Sequence, residues 1–152
     1  MTYFVFGIYC NVIFKKATRR PEVLGYRETI RFHGHNGPFL ALGYKLGKSL
    51  VKKFKPKGIM GFKITVKTRL EKPFTCVIDG LQCSTFATFG KRNMSIKNSH
   101  SENIVIFVET QKRKYTYKIT KKAMDICLTA DSLDKAAQKI FKTPAVTLWR
   151  MM

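Results

Sequence analysis

The sequence predicts an α+β fold: one mixed β-sheet ending in an antiparallel meander, with helices packed on one side. Three observations lead there. Residues 38–54 place apolar side chains at three- and four-residue spacing, and residues 59–70 alternate apolar with polar. Three short runs rich in β-branched and aromatic residues then fall between 94 and 120, separated by turn-forming stretches. A chain of 152 residues with 45% hydrophobic content corresponds to a single domain spanning 1–152, which can bury about two thirds of its unfolded surface. Within it, residues 1–20 form an apolar and basic arm, 21–120 the core, and 121–152 a closing helix and tail.

Taken in order, Tyr3 to Phe14 is apolar but too short to cross a bilayer. It has no basic region ahead of it and no clear cleavage site, so it reads as a strand or packed arm. Lys15 to Arg20 is a basic connector, and Pro21 opens a short helical pattern through Val23, Leu24, Tyr26, Arg27 and Ile30. That pattern ends at Arg31-Phe32-His33-Gly34-His35-Asn36-Gly37-Pro38, a compact turn with two imidazoles. Pro38 suits the first position of the next helix, where its missing N–H breaks no intrahelical bond. Gly43 and Gly47, one turn apart, leave a groove for a second backbone or a ligand. Lys55-Pro56-Lys57-Gly58 ends the helix after a lysine-rich last turn.

Ile59 to Leu70 reads as a half-buried strand with Phe62, Ile64, Val66 and Thr68 on its inner side. After the Glu71-Lys72-Pro73 turn, Phe74 to Phe86 reads as a short helix, although Gly80 weakens it. Met94–Lys97, Asn103–Thr110 and Lys114–Thr120 are expected to make the antiparallel meander. In the second of these, Phe107 counts among the core residues. Asp131 is the expected N-cap of a closing helix from Ser132 to Phe141, stopped by Pro144. The tail then packs down through Leu148 and Trp149.

Charge is the most unusual bulk property: 29 Lys and Arg against 9 Asp and Glu, a formal +20. Between Glu28 and Glu71 lie ten basic residues and no acid, so the imidazole turn sits in a positive field suited to anionic partners. A solvated lysine face is the plain alternative. The aromatics Phe32, Phe39, Phe54, Phe62, Tyr115 and Tyr117 interleave with cations as a nucleic-acid stacking platform does, yet most occupy the apolar phase of their element, which assigns them to the core. The four cysteines, Cys10, Cys76, Cys83 and Cys127, contain no CxxC pair. Together with the lack of a signal peptide, this points to free thiols in a cytoplasmic protein.

His33 and His35 are candidate metal ligands, with Cys76 or Cys83 supplying a thiolate if the fold brings them near. A hydrogen-bonded structural turn is the competing reading. Asp79 is the only acid between Lys72 and Ser101 and is placed either to orient a histidine or to cap its own helix. Cys76 and Cys83, seven residues apart, share a helical face as possible nucleophiles or as inert buried thiols. The Phe89-Gly90-Lys91-Arg92-Asn93 turn has the backbone amides and cations of an anion site.

Taken together, Phe32-His33-Gly34-His35-Asn36-Gly37-Pro38-Phe39-Leu40-Ala41-Leu42-Gly43-Tyr44, Cys76-Val77-Ile78-Asp79-Gly80-Leu81-Gln82 and Thr85-Phe86-Ala87-Thr88-Phe89-Gly90-Lys91-Arg92-Asn93 resemble the FmdE-like family, named for a component of formylmethanofuran dehydrogenase. That pattern runs as FHGH, a Gly/Cys-Pro turn, an LGY-like helix, CxxDGIQ and TGCTxGKGN. The resemblance covers about residues 22–120. It implies a dimeric α+β accessory domain linked to one-carbon or redox metabolism, with a His/Cys/Asp cleft for a transition metal such as zinc or for a small anionic ligand. By position it implies His33, His35 and Cys76 as metal ligands and Asp79, Gln82, Lys91 and Asn93 around the ligand, to which the residue reading adds Cys83. Gly37 and Ala87 stand where the pattern carries cysteine, Phe86 replaces a Gly, and Arg92 replaces the last Gly of GKG. A metal here therefore depends on His33, His35 and Cys76. Only Cys127 follows residue 100, so no C-terminal zinc finger is expected. A basic nucleic-acid-binding module is the second reading, and an enzyme using Cys76 or Cys83 with His33 as base is the third.

Overall fold

The computed structural model describes residues 22–129 and 131–152. The expected N-terminal arm and Cys10 lie outside them. Helix α1 spans Tyr26–His33 and α2 spans Pro38–Phe54, and strand β1 (Lys63–Thr68) follows. Next come α3 (Cys76–Thr85), β2 (Met94–Asn98), β3 (Val105–Glu109) and β4 (Lys114–Ile119). The chain closes with α4 (Lys121–Leu128), α5 (Leu133–Lys142), the single turn α6 (Ala145–Leu148) and β5 (Trp149–Met151).

The five strands form one mixed sheet in the order β2-β1-β3-β4-β5. The α+β class, mixed sheet and C-terminal meander are all present, but the meander consists of β3, β4 and β5. β2 instead pairs parallel to β1 at the sheet edge. The physical reason is the segment between them: α3 is a crossover helix, and a crossover returns the chain parallel, where a tight turn would reverse it. Alternation within β1 holds as read, with Ile64, Val66 and Thr68 buried and Lys63 and Lys67 exposed. Phe107, expected in the core, points to the opposite side, because Ile106 and Val108 take the inner face of β3.

α2 is the central helix. Phe39, Leu42, Leu46 and Leu50 pack with Ile64, Val66, Ile106, Val108, Val77 and Leu81 in one continuous core. Each such side chain contributes about 1.5–3 kcal/mol through burial. Its groove is filled by α3. A Cβ on Gly43 would strike the Val77 carbonyl, and one on Gly80 would strike the Leu40 carbonyl, so the backbones meet where both helices lack side chains. Gly80, which weakens the sequence case for α3, is what lets that helix dock.

Several bounds and one helix differ from expectation: β1 fills only Lys63–Thr68 of the expected 59–70, α3 begins at Cys76 rather than Phe74, and β3 is Val105–Glu109 rather than 103–110. α1 starts at Tyr26 rather than near Pro21, since Leu24 N–H bonds the Cys83 carbonyl instead of entering a helix. α4 has no counterpart among the elements expected from sequence, and is capped by Thr120, whose hydroxyl accepts from Ala123 N–H at 3.1 Å. α5 is capped by Ser132 rather than Asp131. Lys45, on α2, donates to the carbonyls of Ile140 (3.0 Å), Phe141 (2.8 Å) and Thr143 at the other end of α5. A cation there answers the negative end of the helix dipole.

Candidate metal centre

Helix α1 ends where Gly34 adopts φ 95°, a left-handed conformation that favours glycine, and its N–H returns to the Ile30 carbonyl at 2.7 Å. The chain therefore doubles back within one residue. His35 comes to lie against His33, with ring centroids 4.5 Å apart and planes tilted by 39°. Asn36 holds the turn from both sides: it accepts from the Tyr26 hydroxyl at 2.6 Å and donates to Asp134 at 2.8 Å.

Across from the turn, α3 presents Cys76 in its first turn and Asp79 one turn later. His33 Nδ1 meets Asp79 Oδ2 at 2.7 Å, with the histidine side chain 9% exposed and the aspartate 34%. The carboxylate accepts from Nδ1–H, which leaves the lone pair on Nε2. That Nε2 is buried and has no hydrogen-bond partner among the described residues, which for a ring nitrogen in a folded interior calls for an explanation. The donor atoms of His33, His35 and Cys76 all lie within 4.8 Å of one another. Two distant stretches, the imidazole turn and the acid-and-thiol helix, thus meet.

This donor set fits a transition metal. Zinc with bonds of about 2.0–2.3 Å sets tetrahedral donors about 3.3–3.8 Å apart, so the cluster closes on an ion with about 1 Å of side-chain movement. His35 is exposed and has room to make it. Imidazole and thiolate together suit zinc and its neighbours rather than magnesium or calcium. The Cys76 thiol is pushed up from its ordinary value, first by burial and then by the Asp79 charge; a backbone hydrogen bond and Lys72 pull the other way and are outweighed. Cys83 is likewise raised, by burial foremost, against a hydrogen bond to Thr29. Both shifts run opposite to the activation a nucleophilic thiol needs.

The remaining expected site residues divide. Gln82 links the cluster to its surroundings, donating to Asp79 Oδ1 at 3.4 Å and accepting from Phe89 N–H at 3.1 Å. A cavity of about 390 Å³ lies beside it, with Glu22, Leu24, Phe32, Gln82, Phe86 and Lys91 in its lining. Lys91 donates to Thr88 Oγ1 at 2.8 Å, and burial holds its pKa below the usual lysine range. Asn93 is 4% exposed and spends its side chain on the loop, accepting from Thr88 N–H and donating to the Phe62 carbonyl. The amides of the expected anion turn are largely used internally: those of Thr88, Phe89, Lys91 and Arg92 all have protein acceptors. A larger cavity, about 830 Å³ between Glu22, Lys48, Val51, Lys55 and Phe86, has neither histidine nor cysteine in its lining.

Sequence reasoning misses the roles of Tyr26 and Asp134. Tyr26 occupies an amphipathic position and gives no outward sign of its role, and Asp134 lies 98 residues from the Asn36 it holds. Of the proposed stacking aromatics, Phe39, Phe62 and Tyr117 are buried, and Phe54 and Tyr115 pack against the core. Phe32 alone of that set is well exposed. Among the described residues no helix is long and apolar enough to cross a membrane. No curated protein matches the chain. A family model described as "FmdE, Molybdenum formylmethanofuran dehydrogenase operon" matches residues 32–148.

Proposed function

The chain belongs to the FmdE family, and from that premise we propose that it is an accessory domain whose His33, His35 and Cys76 hold a transition metal. Asp79 orients His33, and the adjoining cavity receives a small anionic ligand. One observation carries the reading: His33 Nδ1 is engaged by Asp79 at 2.7 Å, its buried Nε2 has no partner among the described residues, and a ligand atom of His33 lies within 4.8 Å of those of His35 and Cys76. A carboxylate that fixes one ring nitrogen and thereby presents the other is the recurring support of protein-bound zinc.

Three protein donors leave a fourth coordination position, the arrangement of sites that exchange ligands rather than purely structural ones. When bound, such an ion acts as a Lewis acid toward an oxygen ligand. The chain's own residues supply the rest. Phe32, Leu24 and Phe86 give the cavity an apolar wall, Lys91 offers it a cation whose pKa partial burial lowers, and Glu22 is the one carboxylate in its lining. An anion in that cavity would offset the desolvation.

Elemental analysis of protein purified without an affinity tag tests this. Near-stoichiometric zinc or a related metal is expected, abolished by His33→Ala together with His35→Ala. Folded protein that stays empty throughout a zinc titration would sink the proposal.

A further inference from the structure

Residues paired across neighbouring strands share a face of the sheet. The pairs Lys67↔Lys97, Lys67↔Val105, Val105↔Lys118 and Lys118↔Arg150 therefore lay one row across all five strands, four of its five members cations. At about 4.8 Å per strand, the row is about 19 Å long. The next row holds Ser95, Thr65, Phe107 and Thr116, and the one beyond it Lys63, Glu109 and Lys114. This is the outer face, opposite the side where Ile64, Val66, Ile106 and Val108 meet the helices.

Lys63, Lys67, Lys97, Lys114, Lys118 and Arg150 are all exposed. Among the described residues only Lys114 of the six has a carboxylate partner, Glu109 at 2.9 Å. Between the two charged rows Phe107 is 36% exposed. Beside it Thr65 and Ser95 join their hydroxyls at 2.8 Å, and a shallow cavity of about 310 Å³ is lined by Thr65, Lys97, Phe107, Lys114 and Thr116.

We propose that this face binds single-stranded nucleic acid, stacking a base on Phe107 and running its phosphates along the cationic rows. An aromatic ring on a sheet between cations serves both halves of a nucleotide, and hydroxyls at its edge meet sugar and base polar groups. A second copy of the chain is disfavoured here, because six cations would face six with one acid on each side. An acidic peptide satisfies the charge but leaves the ring without a partner. Among the described residues this sheet face also carries no helix that enters a duplex groove.

The test is fluorescence anisotropy of the full chain with labelled oligo(U) and oligo(dT) of about 15 nucleotides over a range of salt. Four phosphate contacts predict a log–log salt slope of about −3, and Lys67→Gln with Lys118→Gln should reduce it to about −1.4. Lys97→Gln with Arg150→Gln, on the two edge strands, repeats that measurement independently. Phe107→Leu should weaken binding by about 5- to 150-fold and leave the slope unchanged. Absence of binding at low salt, an unaltered slope in both double variants, or indifference to Phe107→Leu overturns the proposal. So does tighter binding of duplex DNA, polyglutamate or phosphatidylserine vesicles than of the single strands.

Discussion

At the scale of single residues, the cluster between the imidazole turn and α3 depends on how Asp79 and Gly37 are used. Asp79→Asn keeps the shape but removes the charge behind His33 Nδ1. Zinc affinity, measured by chelator competition, should fall by about 10–100-fold with the fold intact. Gly37 has an extended backbone (φ −155°, ψ 160°) that any residue adopts, and a Cβ there would lie 3.4 Å from His35 Nε2. The resemblance places a cysteine at this position. Gly37→Cys should therefore add a thiolate beside the cluster and tighten zinc by tenfold or more, about 1.4 kcal/mol. Unchanged affinity would mean that the position does not face the ion. The charge pattern and the His-Gly-His turn made this site legible from sequence, because an isolated acid and paired imidazoles are rare enough to stand out. Tyr26, Asn36 and Asp134 were not, since a hydrogen-bond chain between residues ten and 98 positions apart leaves no local pattern.

At the scale of elements, the close α2–α3 contact fixes α3 against the helix that follows the imidazole turn. Gly43→Ala puts a methyl group into the Val77 carbonyl and should destabilise the protein by about 1–3 kcal/mol in urea unfolding. It should also weaken metal binding, because α3 has to move to relieve the clash. The bounds of α2 were readable because Pro38 and the Lys55-Pro56-Lys57-Gly58 stretch mark its ends, and the facing of β1 because its alternation runs the length of the strand. α4 was missed because Lys121–Leu128 is short and sits directly after a strand, where Tyr117 and Ile119 already explain the apolar pattern. The partner of β2 was missed for another reason. Strand pairing is decided by what the intervening segment can span, and the sequence of Met94–Asn98 itself is silent on that. Phe107 shows the same limit on a smaller scale: five apolar residues in succession, Ile104 to Val108, conceal which alternate set is inward.

At the scale of the whole molecule, stability should depend on pH in the alkaline range. Burial holds the Cys127 thiol at about 12 against an ordinary 9.0, and Tyr26 at about 12 against 10.0, the latter by burial and then by the charge of Asp134. Raised values mean that the neutral groups are favoured in the fold, so their contribution is complete below pH 9 and declines as pH rises toward 12. For Cys127 the slope is at most about 1.4 kcal/mol per pH unit. Cys127→Ala should flatten the fall of the urea midpoint over that interval, whatever it does to the midpoint at neutral pH. Tyr26 ionisation would also withdraw the proton it donates to Asn36, loosening the turn that carries His35.

The parallel pairing of β2 with β1 has a consequence for how the protein opens. β2 is a five-residue edge strand bonded to one neighbour, and α3 is the connection that delivers it. If that edge strand peels away, the helix bearing Cys76 and Asp79 loses its downstream anchor, so fraying at this edge of the sheet would also scatter the His/Cys cluster. Amide exchange along Met94–Asn98 would then slow when an ion is captured more than ten residues upstream, reporting occupancy from a segment that never touches it.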